Sequence, residues 1–279
     1  MNAIEIKDLC KSYGEFNIDK LSLTVPQGCI VGLIGENGAG KSTTINLILD
    51  TIHKDSGSIT LLGKDNTQNT SALKEDIGIV PDEPGFPECL TAGQMNSIMK
   101  YTFTRWDETA FNNYISMLKI PAGKPFKDFS KGMKMKLSIA VAMSHNAKLL
   151  ILDEPTGGLD PVVRDEVIDM FNEFTRDETH SVLISSHIVS DLEKICDYIA
   201  FIHKGRLLLF EEKDALLDRH CIVQCSREQF DALPEQAVKG VKKTPFGINA
   251  IVEKEYMPSD IQMLPVTIEE LFVFMVKEA

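Results

Sequence analysis

Residues 35–43 read Gly35-Glu36-Asn37-Gly38-Ala39-Gly40-Lys41-Ser42-Thr43. The spacing fits G-x-x-x-x-G-K-[ST], a loop whose backbone N–H groups converge on a polyphosphate. Before it runs Cys29-Ile30-Val31-Gly32-Leu33-Ile34, a short apolar stretch suited to a buried parallel strand. After it, Thr44 to Leu49 reads as a helix with Ile45, Leu47, Ile48 and Leu49 as apolar contacts. A strand feeding a glycine loop that opens a helix is an anion site, because the helix dipole favours negative charge there. Lys41 is placed to reach the β- and γ-phosphates of a nucleotide, and the Ser42 hydroxyl to ligate Mg²⁺.

Such a loop needs a second half. Lys148-Leu149-Leu150-Ile151-Leu152 is a continuous apolar strand that ends in Asp153-Glu154-Pro155. Two carboxylates there are costly unless something pairs with them. In an open α/β sheet, the carboxyl ends of the strands are where ligands sit. Asp153 suits Mg²⁺, through water, and Glu154 suits orienting or deprotonating an attacking water. Next, Asp160 can cap a helix with Pro161 at its first position. Val163, Val167, Met170 or Phe171, and Phe174 give that helix one apolar face. Ser181-Val182-Leu183-Ile184-Ser185 is another buried strand, followed by Ser186-His187. A lone His at a strand end is most often a surface group, but this one falls at the nucleotide end of the sheet.

Bulk properties bound the rest. The 279 residues carry a formal net charge of -12, which argues against broad nucleic-acid binding. No apolar run approaches the ~18 residues of a membrane span, and the first residues lack the apolar core of a signal peptide. A cytoplasmic protein is expected, with any membrane role exercised through a partner. Cys10, Cys29, Cys89, Cys196, Cys221 and Cys225 show no C-x-x-C spacing and read as buried thiols.

The remaining segments sort by periodicity. Residues 2–27 alternate apolar and polar, as in half-buried antiparallel strands, with Lys11-Ser12-Tyr13-Gly14 as a turn. Ser58 to Leu62 reads as a strand, and Ile77 to Val80 as a short buried strand stopped by Pro81. Asp82-Glu83-Pro84-Gly85-Phe86-Pro87 is a loop or hinge, given its proline density. From Thr91 to about Ala147 the pattern is helical and holds six of the 11 methionines. Ile199 to Phe210 reads as a hairpin turning at Lys204-Gly205. From Leu216 the texture changes. Three strands (221–225, 248–252, 261–264), a short helix at 226–233 and a closing helix over 267–277 are expected, the last from Ile268, Leu271, Phe272 and Met275.

One further segment brings the motifs together. Phe129-Ser130-Lys131-Gly132-Met133 precedes a nearly all-apolar helix. Ser-x-Gly at a helix start, shortly upstream of the paired carboxylates, resembles the signature loop of ATP-binding-cassette (ABC) ATPases, and every motif then falls in that family's order across residues 1 to about 211. The resemblance implies an α/β fold: a P-loop nucleotide-binding core, an antiparallel β-subdomain, a helical subdomain at about 86–147, and a small C-terminal α+β appendage. It implies a nucleotide-binding domain at 1–215 and an accessory domain at 216–279. Tyr13 would stack on adenine; Gly35, Asn37, Gly38, Ala39, Gly40, Lys41, Ser42 and Thr43 would hold the phosphates of ATP. Asp82 occupies the Gln-loop position, Ser130 and Gly132 belong to the signature, and Asp160 to the loop after the Walker B strand. His187 is the switch histidine. With Glu154 and Lys41 it would be catalytic, while Ser42, Asp153 and Asp82 would serve Mg²⁺.

The sequence departs from the family pattern twice. Asp82 stands where a Gln is usual, and Lys131 and Met133 replace the usual Gly and Gln. Gln94 lies too far along to serve. Substituted signatures with a C-terminal extension resemble bacterial exporters of drugs, peptides or antibiotics. The expectation is an ATP-hydrolysing subunit, peripheral on the inner face of the cell membrane, energising a separate transmembrane permease. Two cassettes, identical or not, would sandwich ATP head to tail. The competing class is a soluble ABC ATPase in cluster assembly or another non-transport process.

Overall fold

The computed structural model describes residues 1–68, 71–244, 247–258 and 261–278. In chain order, β1 (Asn2–Tyr13) and β2 (Phe16–Pro26) form a hairpin and lead into β3 (Ile30–Ile34). α1 (Lys41–Ile48), β4 (Ser56–Leu61), β5 (Lys64–Asp65), α2 (Ser71–Glu75) and β6 (Ile77–Val80) follow. The helical stretch holds α3 (Ala92–Thr102), α4 (Glu108–Met117) and α5 (Lys131–Met143). Then come β7 (Leu149–Asp153), α6 (Pro161–Phe174), β8 (Ser181–Ser186), α7 (Val189–Ile195), β9 (Tyr198–His203) and β10 (Arg206–Glu212). The chain ends with α8 (Lys213–Arg219), β11 (His220–Cys225), α9 (Arg227–Asp231), β12 (Val238–Thr244), β13 (Gly247–Glu253), β14 (Met263–Leu264) and α10 (Ile268–Glu278).

The central sheet is six-stranded, ordered β10-β9-β3-β8-β7-β6. The pairs β9/β3, β3/β8, β8/β7 and β7/β6 are parallel. Its strands are continuous apolar runs because both faces are covered. Ile30, Ile34, Leu150, Leu152, Val182 and Ile184 point to one core, which includes α5, α6 and α7. Val31, Leu33, Leu149, Ile151 and Leu183 point to the other, as the period of two requires. That second core is closed by the antiparallel sheet β2-β1-β4-β5. Helix α1 lies between, contributing Ile45, Leu47 and Ile48 to it.

The helix starts obey local chemistry. Thr91 caps α3 in a full capping box whose return bond comes from Gln94, accepting from Thr91 N–H at 3.0 Å. Asp107 caps α4 and Asp160 caps α6, with Pro161 at its first position. Gln94 is therefore occupied in a helix cap.

Several expectations are corrected. Strand β6 is at the sheet edge, and Ile79 is 42% exposed rather than buried. Cys89 is exposed and Cys10 and Cys29 are half-buried; Cys196, Cys221 and Cys225 are buried, and burial drives their thiols upward in pKa. The C-terminal sheet has four strands, ordered β12-β13-β11-β14. Strand β12, Val-Lys-Gly-Val-Lys-Lys-Thr, reads as polar because it lies at the edge of that sheet. Its Gly240 leaves room for the Phe274 ring of α10, which a Cβ would overlap. The expected boundary at 215/216 falls inside α8, whose Leu216 is buried in the larger core. Ile222, Ile251, Ile268, Leu271 and Phe272 join that same core, and Phe272 meets Phe201 of β9 edge-on at 5.3 Å between centroids. The C-terminal part is built onto the cassette, each such buried ring worth about 2–3 kcal/mol.

Candidate nucleotide site

Three parallel strands end together. Ile34 of β3 is in register with Ser186 of β8, and Asp153 of β7 with Ser185 of β8. The phosphate loop, the paired carboxylates and His187 therefore emerge side by side, although they are far apart in the chain.

The loop is shaped by its glycines. Gly40, the N-cap of α1, has φ of 115°, and a Cβ there would meet Ile18 Cδ1 at 2.8 Å and Phe16 Cζ at 3.0 Å. Only glycine combines that backbone with that closeness. Lys41, the first residue of α1, turns back over the loop. Its side chain is 7% exposed, and Nζ donates to Gly35 O at 2.8 Å and to Glu36 O at 3.4 Å. The same ammonium stands 3.6 Å from Glu154 Oε1.

Glu154 is the hub. Its backbone has φ of 51°, a left-handed conformation that costs a non-glycine residue about 1 kcal/mol or more. Its N–H is held by Ser185 O at 3.1 Å and Ser185 Oγ at 3.2 Å. Its carboxylate Oε2 accepts from His187 N–H at 3.1 Å and lies 2.6 Å from His187 Nδ1. One carboxylate oxygen thus faces Lys41 and the other is fastened by His187. Asp153 is buried, and its Oδ1 accepts from Ser185 Oγ at 2.5 Å. The register explains why Ser185 serves both carboxylate residues; sequence reading treated it as a strand residue only.

A cavity of about 350 Å³ sits over the loop, lined by Glu36 to Gly38, Gly40 to Thr43, Asp82, Glu154 and Phe16. Ser42 is exposed on it and Thr43 half-buried, while Gly35 and Ala39 are buried beneath. Tyr13 and Phe16 are cross-strand partners at the β1–β2 hairpin tip. Of the two, Phe16 lines the cavity. Tyr13 is 46% exposed, with Lys11 Nζ 5.3 Å from its ring centroid. Ser130, Gly132 and Asp160 do not line this cavity. Ser130 Oγ accepts from Met133 N–H at 3.3 Å as the N-cap of α5. A Cβ on Gly132 would meet Gly158 O at 3.0 Å, which packs the start of α5 on the loop that leads to Asp160.

Comparisons with known proteins agree with this geometry. The ABC transporter family model matches residues 18–157. The bacitracin transport ATP-binding protein BcrA of Bacillus licheniformis is 37% identical over 208 residues, 74% of this chain and 68% of its own length. The ABC transporter ATP-binding protein YtrB of Bacillus subtilis (strain 168) is 30% identical over 285 residues, 97% of either chain. A solved ATP binding subunit of an ABC transporter superposes with a TM-score of 0.69 at 28% identity, covering 82% of this chain and 93% of that one. With a phosphate loop, paired carboxylates and a strand-end histidine brought together on the matching fold, this chain belongs to the ABC transporter family, as an ATP-binding and ATP-hydrolysing subunit.

Proposed function

We propose that this subunit hydrolyses ATP with Glu154 as general base and drives a separate membrane permease that exports an antibiotic or peptide. The observation that carries the chemistry is the Glu154 carboxylate held between Lys41 and His187. An incoming water would give its proton to Glu154, while Lys41 would meet the β- and γ-phosphates and His187 would keep the carboxylate aimed. The left-handed backbone at Glu154 is strain spent on that aim.

The residues fit Mg²⁺, an ion that takes oxygen ligands from one or two carboxylates, substrate phosphates and water. Ser42 offers an exposed hydroxyl at the cavity, Asp82 lines it, and Asp153 keeps Oδ2 while Oδ1 holds Ser185. When bound, the ion would neutralise charge on the β- and γ-phosphates.

Base recognition is assigned to the hairpin tip. Phe16 carries more of it than Tyr13, because Phe16 faces the cavity. Phe16→Ala is expected to raise the Kd for ATP about 10-fold, the size of one stacking contact, with a smaller change for Tyr13→Ala. Nucleotide titration checks the order, and the reverse order would return the stacking role to Tyr13.

Ser130 and Gly132 do not line the cavity of their own chain, which supports a head-to-tail pair. Each ATP would lie between one copy's phosphate loop and the other copy's signature, with the N-terminus of α5 toward the γ-phosphate. The cassette would end in α8, with residues 86–147 as its moving helical section and the chain after α8 as an accessory lobe packed on it.

For the permease, an apolar groove of about 620 Å³ runs beside the Asp82–Pro87 hinge, lined by Ile79, Pro81, Phe86, Met99, Phe103 and Val141 among others. No helix among the described residues is long and apolar enough to cross a membrane. Same-length relatives such as YtrB are named ATP-binding proteins of ABC transporters. A cytoplasmic-side segment of the permease suits this groove, because the edge strand β6 leaves Ile79 uncovered. The tagged chain, extracted from host membranes in mild detergent, should recover a multi-span protein, and Ile79→Asp should abolish that recovery. Undiminished recovery with Ile79→Asp would remove the groove from the contact.

A further inference from the structure

Lys131 is the first residue of α5, next to the capping Ser130. Its stem runs along the loop that follows Glu154: a Cβ on Gly158 would meet Lys131 Cδ at 3.7 Å and Cγ at 3.8 Å. Its ammonium stands 3.5 Å from Asp82 Oδ1. Asp82 in turn lines the phosphate cavity. One side chain thus reaches from the signature helix to the wall of the chain's own nucleotide site. These are also two of the positions where the sequence departs from the family pattern. An acid replaces a neutral amide, a cation replaces a glycine, and the two face each other.

The pair is exposed, with side-chain accessibilities of 61% for Lys131 and 47% for Asp82. Exposed pairs are weak and screened, so this one can exchange partners. A nucleoside triphosphate offers Lys131 several phosphate oxygens and a stronger, charge-assisted contact. We propose that Lys131 is a nucleotide-binding residue of the signature, acting on the γ-phosphate held by the other copy, and that Asp82 is its resting counter-ion. This rests on the head-to-tail reading given above. Lys131 adds a cation to a signature that otherwise offers N–H groups and a hydroxyl. Asp82 opposes closure, because its carboxylate must release Lys131 first. The two partners of one ion pair therefore act with opposite signs on dimer formation, whereas a simple strut would make both losses act alike.

The test uses the full chain carrying Glu154→Gln, titrated with ATP in excess EDTA so that the Mg²⁺ role given to Asp82 plays no part, and followed by sedimentation velocity. Asp82→Asn should lower the ATP concentration for half-dimerisation about 3-fold, the size of an exposed ion pair. Lys131→Met should raise it about 10-fold, the size of a charge-assisted contact. In the double variant the gain from Asp82→Asn should vanish. Shifts of the same sign, or a gain that persists without Lys131, would overturn the proposal. So would an equal loss of ATP affinity in the Lys131→Met monomer, measured with a fluorescent ATP analogue below the dimerisation concentration, because it would place Lys131 on its own chain's nucleotide. A Glu154→Gln parent that stays monomeric at saturating ATP would overturn the head-to-tail reading first, and this proposal with it.

Discussion

Glu154→Gln is expected to bind ATP, lose turnover by about 10²- to 10⁴-fold, and accumulate as an ATP-dependent dimer. The substitution is close to isosteric. A glutamine oxygen can still accept from His187 N–H, now 3.1 Å from Oε2, so the side chain keeps its place. What is lost is basicity: an amide cannot take a proton from water. What is gained is one negative charge fewer beside the phosphates, which favours the bound nucleotide. Binding and turnover should therefore part company. Phosphate release under saturating ATP, alongside size-exclusion chromatography with and without ATP, reads both. Wild-type turnover in this variant would remove Glu154 from the role of base.

Lys41→Ala should weaken ATP binding by about 10²-fold or more, because charge-assisted contacts to two phosphates are worth about 3 kcal/mol or more together. A second loss accompanies the first. Lys41 Nζ holds the Gly35 carbonyl at 2.8 Å and faces Glu154 Oε1 at 3.6 Å. Truncation leaves that carbonyl without its donor and the carboxylate, 12% exposed, without its cation. The loop should lose its shape as well as its charge. Lys41→Arg separates the two: it keeps the charge but presents a planar fork in place of a compact ammonium, and is expected to recover only part of the affinity. Titration of a fluorescent nucleotide gives the Kd, and thermal unfolding gives the cost to the loop. Normal affinity in Lys41→Ala would sink the phosphate-loop assignment.

Both predictions draw on residues that were legible in the sequence, but their mutual placement was not. The capping role of Asp160 was visible as well, because a cap is a contact between residues three apart. The C-terminal sheet was less legible. Strand β12 carries three lysines and a glycine in seven residues, a pattern that looks like a loop until a partner strand supplies its hydrogen bonds. Helix α8 was hidden at the change of texture near Leu216. Its Leu216 is buried by the larger core with Leu217 packed against it, and no local period announces that.

Sequence by itself determined the strand–loop–helix around Gly35 to Thr43, the acid pair ending β7 and the alternation that separates the two faces of the central sheet. Each depends on neighbours within a few residues, where bond geometry and side-chain period suffice. Tertiary structure alone decided which distant groups meet. Parallel registry put Ser185 under both Asp153 and Glu154, and His187 on Glu154 Oε2. The hairpin turned Phe16, rather than Tyr13, to the cavity. Packing of α5 on the loop after Glu154 set Lys131 against Asp82, 49 residues away. Such contacts follow from how sheets and helices stack around a shared core, and no local pattern along the chain encodes that stacking.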